Sequence, residues 1–462
     1  MFDKKTYVER RNRLKEKFQS GLALFLGNEE SPMNYADNPY HFRQDSSFLY
    51  FFGLNYPGLA GVIDFDEGKN YIYGADLTVE DIIWMGNQPT ISDRSLKAGV
   101  ENNGTISQLE EALKKAKAQG RKIHFLPPYR PENKLKLFDW IEVHPAKAAG
   151  EASVELIEAV VEQRAIKSDE EVEQIEEAVN ITVDMHLTAM KMVRPGVGEA
   201  EVATAVHRAA LAAGGQISFP IIATINGQIL HNHYHGNIMK SGDMFLLDAG
   251  AENAMSYGGD LSSTIPVDPT FSERQREIYN ITLKAHEAAA AALKPGIKNL
   301  DIHLLACKTV ARGMKEIGLM KGNVDDAVKA GAHALFFPCG VGHMMGLDIH
   351  DMEDLGEVYV GYEGKPKYTQ FGLKSLRLAR ELQPGFVITI EPGIYFIPEL
   401  IDQWKSGNKF TEFIDYDRVE AYKDFGGIRN EEDFLITADG CRLLGKPLAK
   451  TIEEVEAAKG EK

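Results

Sequence analysis

Residues 387–395 read VITIEPGIY. β-Branched and aromatic residues dominate this run, which is typical of a buried β-strand, yet the carboxylate of Glu391 lies inside it. Residues 245–248 (FLLD) form a second apolar run, and it ends at Asp248. A buried carboxylate costs several kcal/mol unless it is neutralised, paired or bound to a metal ion. Both runs therefore predict strands whose acids need a compensating partner.

Three more potential ligands lie in comparable settings. Asp260 follows two glycines and precedes a β run. His343 lies in the glycine-rich segment GVGHMMG, residues 340–346, and Glu431 belongs to GGIRNEED, residues 426–433. Four carboxylates with one imidazole suit divalent ions such as manganese, cobalt or iron. Two such ions would balance the four negative charges, and a hydroxide shared between them would be a nucleophile at neutral pH.

The surrounding patterns predict an α/β (α+β) protein of two domains. The first domain covers residues 1–160, residues 144–167 contain the linker, and the second domain covers residues 168–462. Ser168 and Glu171 form a capping box, and the apolar residues after them recur at steps of three and four, which predicts a long amphipathic helix. In the first domain we expect a helix at 105–119 and strands at 22–26, 59–65, 70–73, 122–126 and 137–143.

The second domain contains a weak internal repeat. MVRPG (residues 192–196) and ALKPG (residues 292–296) lie 100 residues apart, and each separates two apolar-periodic helices. This spacing suggests a duplicated half related by pseudo-twofold symmetry. In the first domain, the aromatic cluster FLYFF (residues 48–52) is expected in the core, although it could also contribute to an interface.

Composition and charge exclude several functions. The 462 residues include 51 Lys+Arg and 68 Asp+Glu, and the net charge of −17 without a basic block disfavours nucleic acid and anionic membranes as partners. Residues 1–18 lack the apolar core of a signal peptide, so a cytoplasmic protein is expected. Cys307, Cys339 and Cys441 form no CxxC pair, which argues against a disulfide framework and against a thiolate zinc site.

The ordered strings LLDAG, GGD, GVGHMMGLDIHD, ITIEPGIYFI and FGGIRNEED resemble the pita-bread metallopeptidases, the family of methionine aminopeptidase, aminopeptidase P and prolidase. FRQDSSFLYFFG (residues 42–53) resembles the N-terminal domain that aminopeptidase P and prolidase share. The resemblance implies a creatinase/prolidase-type N-terminal domain, a pita-bread catalytic domain and a homodimer. It also implies two divalent ions, manganese first, with cobalt, iron or zinc as alternatives.

The resemblance assigns roles to individual positions. Asp248, Asp260, His343, Glu391 and Glu431 match the metal ligands, with Asp260 and Glu431 bridging the ions and Glu391 acting as general base. His231, in LHNHY, matches a substrate-binding histidine, and the neighbouring His233 and His235 are expected to be structural or solvated. His350 matches the residue that steadies the tetrahedral intermediate, and Arg429 matches an arginine that orders the site.

Spacing within the motifs favours one branch of the family. Glu391 and Glu431 are 40 residues apart, and this long interval resembles prolidases. LKSLRLARELQPG (residues 373–385) resembles the prolidase segment whose arginine, here Arg377, binds the carboxylate of a dipeptide. The expected activity is hydrolysis of Xaa-Pro dipeptides. Aminopeptidase P activity on longer Xaa-Pro peptides is the alternative, and a non-catalytic peptide-binding module is a remote one.

Two positions depart from the family pattern. Cys339 stands where many relatives have a histidine, which puts the hydrogen bonding around the metal ligands in question. Asp248 and Asp260 are 12 residues apart, one more than the usual interval. We therefore expect an extra loop or bulge residue between their strands, without which Asp260 would face away from the site.

Overall fold

The computed structural model describes residues 1–460. The chain divides into two compact units: unit 1 comprises Met1–Arg164 and Met352–Tyr359, and unit 2 comprises Ala165–Asp351 and the chain from Val360 onward. Each unit mixes helices with β-strands, so the chain has the predicted two-domain α/β organisation. Unit 1 therefore takes in a short segment that lies far along the chain, directly after His350 and Asp351, and nothing in the residue pattern indicated this.

Unit 1 is built on one mixed five-stranded sheet with the order β4-β3-β2-β1-β5. β1 pairs with β5 and β3 with β4 in parallel, whereas β2 is antiparallel to both its neighbours. The strands are β1 (Leu22–Leu26), β2 (Ala60–Asp64), β3 (Asn70–Tyr73), β4 (Asn102–Gly104) and β5 (Ile123–Phe125). The helices are α1 (Lys4–Lys15), α2 (Ser46–Phe52), α3 (Val79–Met85), α4 (Ile91–Lys97), α5 (Ile106–Ala118), α6 (Pro131–Ile141) and α7 (Val154–Ala165).

One strand prediction in unit 1 is wrong. Residues 137–143, expected as a strand, belong largely to helix α6. Pro131 occupies the first helical turn, where its missing N–H costs nothing. Leu137, Trp140 and Ile141 are buried, and their spacing of three and four residues is that of one helix face. A short apolar run is compatible with a strand or with a helix, and here the preceding residues, which begin α6, favour the helix.

The aromatic cluster of unit 1 lies in the core, as expected. Every residue of α2 is buried, and Asp45 caps its first turn by accepting a hydrogen bond from the Phe48 N–H at 2.8 Å. Phe51 packs against Phe25 of β1 with ring centroids 4.8 Å apart. The helix therefore attaches to the sheet through its aromatic face.

Unit 2 combines helix pairs with small antiparallel sheets. Its sheets have the orders β10-β8-β7, β11-β14-β15, β12-β13 and β6-β9. From residue 165 onward the strands are β6 (Gln216–Ile217), β7 (Ile222–Thr224), β8 (Met244–Ala249), β9 (Ala251–Glu252), β10 (Leu261–Pro266), β11 (Val387–Ile390), β12 (Gly393–Tyr395), β13 (Gly427–Arg429), β14 (Glu432–Ile436) and β15 (Cys441–Leu443). The helices are α8 (Asp169–Met192), α9 (Glu199–Ala212), α10 (Glu273–Ala291), α11 (Asn299–Glu316), α12 (Val324–Ala330), α13 (Glu357–Tyr362), α14 (Pro398–Ser406), α15 (Tyr416–Val419) and α16 (Ile452–Gly460), with 3₁₀ turns at Ala332–Leu335 and Glu420–Tyr422. A third 3₁₀ turn, Glu353–Leu355, and the first half of α13 belong to the segment of unit 1.

The internal repeat is visible at its two Pro-Gly turns. Gly196 and Gly296 have φ angles of 87° and 83°, a left-handed conformation that favours glycine. Each donates its N–H over 2.9 Å, to the carbonyls of Met239 and Leu382 respectively. In each half, a helix pair, α8 with α9 or α10 with α11, accompanies a three-stranded antiparallel sheet. The two helix pairs with their Pro-Gly turns thus repeat the same local structure about 100 residues apart.

The long interval between Glu391 and Glu431 is folded rather than open loop. It contains α14, α15 and the 3₁₀ turn Glu420–Tyr422. Phe396, which follows β12, stacks on Tyr422 with ring centroids 5.1 Å apart.

Within residues 1–460, no helix combines the length and the apolar character that crossing a membrane requires.

Candidate metal centre and active site

Asp248 and Asp260 project from the same face of one antiparallel strand pair. Asp248 lies on β8, where it pairs with Ser262 of β10, and Asp260 lies two residues before Ser262. Side chains two residues apart on a strand share a face, so Asp248, Asp260 and Ser262 point the same way. Between the strands, a turn closes at the backbone hydrogen bond from Asn253 to Tyr257 (2.9 Å). The 12-residue interval therefore leaves Asp260 facing the site.

His343 faces the two acids that lie nearest to it. Its Nε2 is 3.5 Å from Asp260 Oδ2 and 3.7 Å from Glu391 Oε1. Its Nδ1 donates to the Met344 carbonyl over 3.0 Å, which orients the ring and leaves Nε2 towards the carboxylates. The backbone of His343 is held by Thr389, whose N–H donates to the His343 carbonyl over 3.0 Å.

Glu391 and Glu431 enter the site where strands end. Glu391 follows β11, and the next residue, a proline, separates it from β12. Glu431 lies between β13 and β14, and its N–H donates to the Ser262 carbonyl over 3.0 Å. Ser262 Oγ also donates to Glu431 Oε2 over 2.8 Å. Single ligand atoms of Asp260, His343 and Glu431 all lie within 4.8 Å of one another, a set that could hold a metal ion.

Arg429 connects the remaining acid to this set. Its guanidinium donates to Asp248 Oδ2 (2.5 Å), Ser262 Oγ (2.9 Å) and the Tyr395 hydroxyl (2.8 Å). Because Ser262 also bonds Glu431, Arg429 and Ser262 together connect two of the acids, Asp248 and Glu431. Arg429 is only 4 % exposed, so these bonds are made almost entirely out of water.

Burial disfavours the ionised form of these acids. It raises the pKa of Asp260 and raises that of Glu431 well above the usual range. Burial also raises the pKa of Glu391 to about 7, although the charges of His343 and Arg429 oppose the rise. In addition, Asp260 Oδ1 is buried and has no hydrogen-bond partner within residues 1–460. A buried carboxylate oxygen without a hydrogen-bond partner, within a cluster of acids, is a suitable ligand for a divalent cation. The cation would also balance the negative charge of the ionised acids.

The three other predicted residues lie around this set. The His350 ring makes an edge contact with the His343 ring, with centroids 4.4 Å apart. Partial burial lowers the pKa of His231, and the positive charges of Arg429 and Arg377 lower it further. His231 and Arg377 therefore lie close enough to the site to interact electrostatically with its charged groups. His233 is exposed, and His235 Nε2 is 3.0 Å from the Ile221 carbonyl.

The sequence interpretation missed three side chains that organise the site. Ser262 binds Arg429 and Glu431, the Tyr395 hydroxyl binds Arg429, and Asp433 Oδ2 accepts the Asp260 N–H over 3.1 Å. Ser262 lies two residues after a predicted ligand on the same strand, and Asp433 is the third acid of NEED, so alternation along a strand could have indicated both. Tyr395, at the end of an apolar run, carried no such signal.

Cys339 lies beside the same network. Burial raises the pKa of its thiol to about 12, and the charge of Glu391 raises it too, while Arg429 and a hydrogen bond with Tyr395 oppose the rise. Cys339 is therefore a protonated thiol next to the site at neutral pH.

Converging buried acids with one imidazole, at the strand ends of an α/β domain, define a metal-dependent hydrolase. Residues 173–438 match metallopeptidase family M24, and residues 7–124 match the aminopeptidase P N-terminal domain. The chain therefore belongs to metallopeptidase family M24 and is a metal-dependent peptidase. The family resemblance read from the sequence motifs is confirmed.

Known relatives match almost the whole chain. The Xaa-Pro dipeptidase of Homo sapiens is 30 % identical over 460 residues, which cover 95 % of this chain and 89 % of the human protein. The Xaa-Pro aminopeptidase of Escherichia coli (strain K12) is 30 % identical over 471 residues, which cover 98 % of this chain and 96 % of that protein.

Solved structures show the same architecture. Zinc-substituted E. coli aminopeptidase P in complex with product superimposes with a TM-score of 0.80 at 27 % identity, covering 99 % of this chain and 98 % of that one. The aminopeptidase PepP of Pseudomonas aeruginosa superimposes with a TM-score of 0.81 at 25 % identity and the same coverage.

Proposed function

We propose that the protein hydrolyses the peptide bond between an N-terminal residue and a following proline, with Xaa-Pro dipeptides as its main substrates. The observation that carries this proposal is the buried set of Asp260, His343 and Glu431 with Glu391 beside it. The human Xaa-Pro dipeptidase, similar over 95 % of the chain, supports the substrate class.

The proposed cofactor is a pair of divalent ions, manganese first, with cobalt, iron or zinc as alternatives. Asp248, Asp260, His343, Glu391 and Glu431 would hold them. Oxygen donors with a single nitrogen favour manganese over softer ions. When bound, such ions polarise the scissile carbonyl and lower the pKa of water.

The proton transfer falls to Glu391. Its carboxylate, 3.7 Å from His343 Nε2, would take a proton from the attacking water and return it to the leaving nitrogen. His350, in contact with the His343 ring, would donate a hydrogen bond to the carbonyl oxygen as that oxygen gains charge. His231 would bind the substrate, and Arg429 would hold Asp248 in position.

Proline specificity has a simple physical basis. The prolyl nitrogen carries no hydrogen and the ring fixes φ, so a pocket that neither needs an N–H nor allows other backbone angles can require proline. A substrate whose free amine must be held close to the acids would be cleaved only at its first bond.

The preference for dipeptides depends on Arg377. A guanidinium can bind a substrate carboxylate through two parallel hydrogen bonds, which a longer peptide lacks at that position. The electrostatic effect of Arg377 on His231 supports its position at the substrate end of the site.

We expect Arg377→Ala to raise the KM for Gly-Pro at least about tenfold, the loss of about 1.5–3 kcal/mol that a charged hydrogen-bond pair contributes. The KM for Arg-Pro-Pro should change much less, and Arg377→Lys should recover part of the loss. Arg442→Ala is the control, since Arg442 pairs with Glu176 on an exposed surface. Equal losses on both substrates would contradict the carboxylate-binding role.

Aminopeptidase activity on longer peptides is the second candidate. The E. coli Xaa-Pro aminopeptidase matches over 96 % of its own length. This match supports aminopeptidase activity as strongly as the identity to the human enzyme supports dipeptidase activity. Assays of Gly-Pro and Arg-Pro-Pro with added manganese separate the two activities. Efficient cleavage of the tripeptide with little turnover of the dipeptide would overturn the dipeptidase proposal.

We also propose a cytoplasmic homodimer. The unpaired Cys307, Cys339 and Cys441 support a reducing compartment. On α3 of unit 1, Ile83 and Trp84 are 74 % and 82 % exposed, which supports an apolar contact between subunits. Light scattering of the wild type and of Trp84→Glu tests the assembly, and a wild-type monomer at micromolar concentration would refute it.

A further inference from the structure

A second group of potential metal ligands lies in unit 2, formed by residues other than those of the carboxylate centre. His303 and Cys307 are four residues apart on α11 and therefore share one helix face. His333 lies in the 3₁₀ turn Ala332–Leu335. All three side chains are fully buried, and one ligand atom from each lies within 4.8 Å of the others. We call this set the His-Cys-His cluster.

The cluster contains buried nitrogen atoms without partners. His303 Nδ1 and both ring nitrogens of His333 form no hydrogen bond with any residue in the range 1–460. The Val328 carbonyl acts on the pKa of His333 but lies outside hydrogen-bond geometry. Within the cluster, Cys307 Sγ lies 3.4 Å from His303 Nε2, and the rings of His303 and His333 make an edge contact with centroids 6.5 Å apart. Because buried polar atoms are almost always satisfied, these nitrogens need an explanation, and a bound cation provides one.

The distances agree with a tetrahedral ion. Zinc–nitrogen bonds of about 2.0–2.1 Å and zinc–sulfur bonds of about 2.3 Å place neighbouring ligand atoms about 3.3–3.6 Å apart. The Cys307–His303 distance of 3.4 Å already falls in that range. The third ligand atom, from His333, lies within 4.8 Å of the other two, so binding an ion would draw it closer to them.

The histidines have the protonation state that metal binding needs. Burial lowers the pKa of His303 to about 3 and that of His333 to about 4, so both imidazoles are neutral near pH 7. Burial raises the pKa of Cys307 well above its usual value, so its thiol is protonated without an ion. Binding would break the S–H bond, form a sulfur–metal bond and release one proton to solvent.

We propose that His303, Cys307 and His333 form a second metal site, which binds one borderline or soft divalent ion such as zinc. Two imidazoles with one thiolate favour zinc or cobalt over manganese, the reverse of the carboxylate centre. The fourth position of a tetrahedral ion is left for water. The cysteine spacing argued against a thiolate zinc site because no two cysteines are neighbours; here histidines supply the other ligands.

The site would stabilise the segment that carries a ligand of the catalytic centre. His333 and His343 lie ten residues apart on the same connection, and an ion at the cluster would tie this connection to α11. The Phe336 carbonyl within that segment also accepts the Tyr395 N–H over 2.8 Å. The proposed role is therefore structural, and it stands independently of the substrate.

Cobalt titration of the metal-stripped full chain tests the proposal. A cobalt–thiolate bond produces a sulfur-to-cobalt charge-transfer band in the near ultraviolet, whereas a carboxylate centre has no sulfur and produces none. We expect this band to reach the intensity of one cobalt–thiolate bond per chain and to disappear on adding zinc, whereas cobalt at the carboxylate centre adds nothing to it. Zinc should also raise the Tm of the wild type.

Matched variants identify the ligands. The band should be lost in Cys307→Ala and weakened in His333→Gln, but kept in Cys441→Ala, whose thiol lies near the Ala290 carbonyl instead. Circular dichroism and manganese-supported peptidase activity show whether Cys307→Ala is folded. Absence of the band in the wild type, or its persistence in Cys307→Ala, would overturn the proposal; the wild-type result holds even if a variant fails to fold.

Discussion

Replacing Ser262 by alanine removes one hydroxyl that bonds two charged groups at once. Its Oγ accepts from Arg429 Nε at 2.9 Å and donates to Glu431 Oε2 at 2.8 Å. Each hydrogen bond to a charged group contributes about 1.5–3 kcal/mol. Arg429 keeps its bonds to Asp248 and Tyr395, so we count only the bond to Glu431 and expect a loss of about 1.5–3 kcal/mol. That loss corresponds to about 10–100-fold weaker manganese binding, the range typical of residues that orient metal ligands.

The neighbouring serine provides a matched control. Ser263 is on the same strand and equally buried, but its side chain lies on the opposite face, 2.7 Å from His186 Nδ1. Manganese affinity is measured by titrating metal-stripped protein, with peptidase activity on Gly-Pro and calorimetry as independent readouts. Ser263→Ala should lose stability without weakening manganese binding. If Ser262→Ala stays within twofold of the wild type, or both variants lose affinity equally, the reasoning from the Arg429–Ser262–Glu431 chain is refuted.

Three further outcomes follow from the same structure. Glu391→Gln should lower kcat on Gly-Pro by about 10²–10⁴-fold with the fold retained, and a loss below tenfold would show that Glu391 does not move the proton. In chelated protein, stability should fall between about pH 4.5 and pH 7, because the folded chain keeps a proton on Glu391 (pKa about 7) that the unfolded chain (pKa 4.5) releases. The decline attributable to Glu391 is about 3 kcal/mol, measured by denaturant unfolding, and manganese should abolish it. Gly342→Ala should destabilise the protein by at least about 3 kcal/mol, since a Cβ there would lie 1.9 Å from the Thr389 carbonyl oxygen, while Gly440→Ala, with open space around it, should change the Tm little.

The potential ligands could be predicted because each occupies an unusual setting. A carboxylate inside an apolar run, such as Asp248 or Glu391, indicates that a positive charge or a metal ion offsets the cost of burying it. This indication depends only on the local sequence. Their convergence depends on the pairing of strands far apart in the chain. The family motifs supplied that information, and the structure brings Asp260, His343 and Glu431 to within 4.8 Å.

Other features depend on tertiary context that local patterns do not encode. The interval 137–143 has strand-like composition, yet Pro131 and a packed helical face make it part of α6. The inclusion of Met352–Tyr359 in unit 1 has no signature in composition or periodicity. His333 meets His303 and Cys307 only through the packing of a 3₁₀ turn against α11, so the His-Cys-His cluster could not be recognised from spacing.

The central claim is that buried acids from distant segments are crowded together because they hold two cations. The most direct test is metal analysis of the protein after manganese loading and removal of unbound metal. We predict close to two manganese ions per chain, falling to one or fewer in Glu431→Gln. One equivalent or fewer in the wild type, at a pH where the protein is folded, would contradict the claim.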